Sequence, residues 1–62
     1  MGSILKKQTI YGDFMYLKRY KSRTGNILEK FVENKLQATV FNLEKAQMMN
    51  RRYRNELIIE DV

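Results

Sequence analysis

The sequence predicts a small α+β domain: an antiparallel sheet in the order β-hairpin, third strand, helix, final strand, with one helix packed on one face. Three observations carry this. Residues 14–33 alternate in side-chain character on either side of Thr24-Gly25-Asn26, a turn signal. Leu43, Ala46, Met49 and Tyr53 then recur at helical spacing behind Asn42, a favoured N-cap. Residues 56–62 return to alternation, with Leu57 and Ile59 set against Ile58.

The elements follow in chain order. Residues 4–11 are weakly strand-like until Gly12-Asp13 interrupts, which predicts an N-terminal arm or edge strand over 1–13 ahead of a single α+β domain over 14–62. In residues 14–21, Met15 and Leu17 point one way, while Phe14, Tyr16 and Tyr20 point the other with Lys18 among them. Both faces of this strand therefore carry apolar area. Gly supplies a positive φ cheaply and Asn tolerates one, so residues 22–26 form a hairpin loop.

Residues 27–33 form the return strand, with Ile27, Glu29, Phe31 and Glu33 in one row and Leu28, Lys30 and Val32 in the other. Glu29 and Glu33 are expected opposite the cations of residues 18–23, where they offset part of the basic character. Asn34-Lys35 turns the chain into a short strand at residues 38–41. Glu44 complements the dipole at the start of the helix, Lys45, Arg51, Arg52 and Arg54 lie towards solvent, and the helix ends near Asn55.

Composition narrows the function. A chain of 62 residues buries only roughly 60% of its unfolded surface, which leaves little room for an enclosed active site. It has neither cysteine nor histidine, so disulfides and the usual zinc-ligand sets are absent. The carboxylates sit singly among cations or near the C-terminus, and Gly2, Gly12 and Gly25 are too scattered for a phosphate loop. No catalytic, cofactor-binding or metal-binding residue is expected, and the chain reads as a non-enzyme. No apolar run approaches the roughly 20 residues a membrane span needs, so the expected compartment is the cytoplasm and no membrane partner is expected. The net charge of +5 favours polyanions or acidic protein surfaces.

Three stretches are candidate contact surfaces. Tyr16 and Tyr20, with Lys18, Arg19, Lys21 and Arg23, could stack bases and neutralise phosphates, or pack as an ordinary half-buried strand with its charges solvated. Arg51, Arg52 and Arg54 offer an anion-binding surface or a solvated last helical turn that the dipole favours in any case. Adjacent Met48 and Met49 cannot both face the core squarely; the one at the edge, Met48, suits an adaptable protein contact.

The stretch FMYLKRYKSRTGNILEKFVENKLQATVFNLEKAQMMN, followed by ELIIEDV, resembles small proteins carried by phages and prophages of Gram-positive bacteria. Shared features are a Tyr-Leu-Lys strand, a Gly turn, a Phe-Val strand, an Ala-Thr-x-Phe strand, a Leu-Glu-x-Ala helix and an acidic final strand. The resemblance implies that Gly25 turns, Phe31 and Phe41 pack, and Leu43 and Ala46 start the helix, and it brings no catalytic residue. A fainter similarity is to the arm-site DNA-binding domains of tyrosine recombinases, from which the acidic residues 56–62 depart. The implied function is that of a phage or prophage accessory protein, a protein-binding module that modulates or inhibits a host or phage protein in the cytoplasm of the bacterial host. A homodimer is the further arrangement to test, and nucleic-acid binding by the hairpin and helix cations is the alternative.

Overall fold

The structure is a computed structural model and describes residues 2–62. Strands β1 (Ser3–Gln8), β2 (Phe14–Lys21) and β3 (Ile27–Val32) precede a 3-10 turn (Lys35–Gln37), helix α1 (Leu43–Arg52) and strand β4 (Ile58–Asp61). All ladders are antiparallel and the strand order is β3-β2-β1-β4, so the fold is a small α+β sheet with a helix on one face.

The loop between β2 and β3 sets their register. Gly25 sits at φ 88°, which a side chain would strain, and the Ser22 N–H donates to the Asn26 carbonyl at 2.8 Å. This closure pairs Lys21 with Ile27, and from there Arg19 with Glu29, Lys18 with Lys30 and Leu17 with Phe31. Every side-chain placement on the hairpin follows from it, because a slip of one residue would exchange the faces.

Strand β1 is neither an arm nor an edge. It is an inner strand, paired with β2 through Lys6, Lys7 and Gln8 and with β4 from Ser3 to Lys6. The boundary expected at residue 13 therefore falls within the fold, in the turn between two paired strands. Local alternation was too weak to show this, because the partner strand β4 lies at the other end of the sequence. Even Gly2 is fitted: its carbonyl accepts from the Val62 N–H at 2.9 Å, and a Cβ there would run into the Val40 side chain.

The segment expected as a strand at residues 38–41 does join the sheet, but as a wedge instead of a ladder. The pairing of β1 with β2 stops at Lys6 and Tyr16. Beyond that point Phe41 exchanges two backbone bonds with Ser3 (2.7 and 2.8 Å), and the Thr39 N–H donates to the Leu17 carbonyl at 3.1 Å. The Thr39 hydroxyl accepts from the Arg19 N–H at 2.7 Å and donates to the Arg19 carbonyl at 3.3 Å. One threonine thus satisfies backbone groups that the splayed strands leave free.

Helix α1 starts at Asn42, whose Oδ1 accepts from the Lys45 N–H at 2.7 Å, with Glu44 in the first turn. It ends before Arg54 and Asn55, both at positive φ, and the Asn55 N–H returns to the Asn50 carbonyl at 2.8 Å. Ala46 and Met49 are buried with Leu5, Leu17, Phe41 and Leu57, and Phe31, Tyr53 and Ile59 pack around them. Leu43, expected on this stripe, is 54% exposed. Asn50 is buried instead: its amide donates to the Leu57 carbonyl at 3.1 Å and accepts from the Leu57 N–H at 2.9 Å, which fixes the entry into β4.

Candidate functional site

Alternation divides the sheet. Leu5, Leu17 and Phe31 share the face covered by α1, so Lys6 of β1, Phe14, Tyr16, Lys18 and Tyr20 of β2, Leu28, Lys30 and Val32 of β3, and Ile58 of β4 share the other. Among the described residues no α-helix covers this second face. The 3-10 turn reaches part of it, where Lys35 and Lys6 both bond the Glu60 carboxylate, the latter at 2.6 Å. These two hydrogen bonds hold the Glu60 carboxyl below the usual carboxylate range, and the same bond raises the Lys35 ammonium above its ordinary value.

What remains open is an apolar surface carrying cations. Tyr20 lies opposite Leu28 and Tyr16 opposite Val32, and between these pairs Lys18 faces Lys30 directly across the ladder. The Lys6 ammonium stands 4.3 Å from the centre of the Phe14 ring, and that of Lys30 stands 5.2 Å from the centre of the Tyr20 ring. Next to Tyr16 a groove of about 640 Å³ runs between Phe14, Glu33 and the turn from β1 to β2. That turn holds Ile10 at 93% and Tyr11 at 85% exposure, an apolar tip at the edge of the patch.

The structure brings together only part of the surface expected from sequence. Tyr16, Lys18 and Tyr20 lie side by side on the open face. Arg19 points to the helix face, where its Nε is buried without a hydrogen-bond partner among the described residues. Lys21 and Arg23 are exposed at the hairpin end, and Arg51, Arg52 and Arg54 are exposed at the far end of α1. Met48 is 52% exposed on the helix and Met49 is buried.

The expected pairing of Glu29 and Glu33 with the hairpin cations does not form. Glu29 lies opposite Arg19, but its carboxylate accepts from the Tyr53 hydroxyl at 2.9 Å and meets Arg52 at 3.8 Å. Burial and this bond to Glu29 raise the Tyr53 phenol above its ordinary value. Glu33 lies beyond the end of β3 and lines the groove. Among the described residues, neither Lys18 nor Lys30 has a carboxylate partner.

Sequence reasoning missed Lys6, Lys30 and Ile58 as part of this surface. Lys30 was within reach, because closing the loop at Lys21 and Ile27 places it opposite Lys18 by counting. Lys6 and Ile58 were not, since their placement depends on the long-range pairing of β1 with β4. Comparison with protein-family models, with curated proteins and with solved structures finds no match to this chain.

Proposed function

We propose that this chain is a non-enzymatic protein-binding module, an accessory protein of a phage or prophage, that docks a host or phage protein through the open face of its sheet. The observation that carries this reading is the surface itself: Tyr16 with Val32 and Tyr20 with Leu28 form two apolar pairs on either side of Lys18 and Lys30, and among the described residues no α-helix covers them. The cations argue in the same direction. A nucleic-acid surface needs them in one stripe, but here Lys18 and Lys30 lie on one face, Arg19 on the other, and Arg51, Arg52 and Arg54 at the far end of α1. Of the two rings expected to stack bases, Tyr20 already carries Lys30.

Self-association through this face is the weaker arrangement. A two-fold dimer sets the same patch against itself, and the strands of this face in a second copy offer Lys18 and Lys30 only the Glu60 carboxylate, already held by Lys6 and Lys35. Ile27 shares the Arg19 and Glu29 row and so faces away from Phe14 and Tyr16, which leaves it no part in such a contact.

The test is retention from a bacterial host extract by the wild type and by variants that keep its melting curve. Tyr16→Ala and Val32→Ser should lose a protein that Met48→Ala and Arg51→Ala retain. Equal retention by all four variants would remove the open face from the function. A parallel titration checks the alternative: neutralising about five duplex phosphates gives a slope of roughly −4.5 in log affinity against log salt. Tight binding that persists near physiological salt, and is lost on reversing Arg19 and Arg52, would establish nucleic acid as the ligand.

A further inference from the structure

On the reading that the open face docks a protein, we infer that Lys18 and Lys30 form a receptor for one carboxylate of the partner. The docked segment is then an acidic residue flanked by apolar side chains. The two lysines are direct cross-strand partners, with Cβ atoms about 5 Å apart, and like charges so placed destabilise a sheet. Among the described residues no acidic group relieves them. Glu29, next to Lys30 in sequence, faces the helix side and is held by Tyr53 and Arg52, while Glu60 is held by Lys6 and Lys35. The pair is bounded above by Tyr20 and Leu28 and below by Tyr16 and Val32.

This arrangement has the chemistry of a socket. A carboxylate presents two oxygens, one for each ammonium, and the aromatic and aliphatic pairs on either side exclude water and strengthen the attraction. The flanking apolar side chains of the ligand then cover Tyr16 with Val32 on one side and Tyr20 with Leu28 on the other. A phosphodiester strand would meet the same ammoniums through its phosphates, but it brings no aliphatic side chain to Val32 and Leu28.

The probes are a short capped peptide with one glutamate and a leucine two residues to either side of it, its glutamine counterpart, and a short oligothymidylate. Each is titrated into isotope-labelled protein while backbone amide shifts are followed. The glutamate peptide should move residues 16–20 and 28–32, with the glutamine peptide at least about tenfold weaker. Lys18→Gln and Lys30→Gln should each weaken the glutamate peptide about as much. Equal binding of both peptides at these residues would sink the carboxylate receptor and leave apolar docking intact. Tighter binding of oligothymidylate at the same residues would overturn both the receptor and the protein-binding reading. A glutamate peptide that leaves these amides unmoved would refute the receptor outright.

Discussion

On one face of the sheet Leu5, Leu17 and Phe31 meet the helix, and on the other Phe14, Tyr16 and Tyr20 meet lysines and solvent. The same strands supply both sets, so hydrophobicity does not separate them. What separates them is the treatment of polar groups. On the covered face Phe31 and Tyr53 meet edge to face at 5.8 Å between ring centres, and the Tyr53 hydroxyl, Glu29 and Arg52 satisfy one another. On the open face Lys18 and Lys30 stand opposed with no carboxylate between them among the described residues. The contrast is local, since Arg19 Nε is left without a partner on the covered face and Glu60 pairs Lys6 and Lys35 on the open one; particular to the open face is a like-charged pair set directly across the ladder.

The sharpest way to break this contrast is to remove side chains from the covered face. Phe41→Ala should cost about 3 to 5 kcal/mol, a loss that a domain of this size can hardly sustain, and it should abolish the cooperative melt. A wild-type melting curve for this variant would show that the buried cluster is not the core. Asn50→Ala should follow at roughly 1 to 3 kcal/mol, because it leaves both backbone groups of Leu57 without their partner. Urea unfolding measures it, and a change under about 0.5 kcal/mol, the range of ordinary surface substitutions, would contradict the assigned role.

On the open face acid should act through Glu60. Its carboxyl is held below the ordinary range by Lys35 and Lys6, so its contribution is complete above the ordinary glutamate pKa and is lost as pH falls through the depressed folded value. Wild type should therefore melt above Glu60→Gln at neutral pH, and the two curves should converge in acid. A gap between them that persists at all pH values would show that Glu60 acts by shape and not by charge.

The hairpin, its loop and the helix start were legible because each is encoded within a few residues: alternation, Thr24-Gly25-Asn26 and Asn42. The inner position of β1 and the wedge at Thr39 and Phe41 were not, since both are settled by partners more than 20 residues away in sequence. Leu43 and Asn50 show the same limit on the helix, where periodicity put an exposed leucine in the core and overlooked a buried amide. Of the candidate surface, Tyr16, Lys18 and Tyr20 came from one strand and stayed together, while Arg19 was separated from them by the pleat.

The most direct test of a face built for contact is the melting temperature of Lys18→Glu, read beside its binding of the leucine and glutamate peptide. This substitution turns a repulsive cross-strand pair into an attractive one and leaves Lys30 over Tyr20. Stability should rise by about 0.2 to 1 kcal/mol, a gain of roughly 1 to 8 °C in Tm for a domain this small, while peptide binding disappears. A fall in Tm with binding retained would contradict the account, since Lys18 would then serve the fold and not the partner.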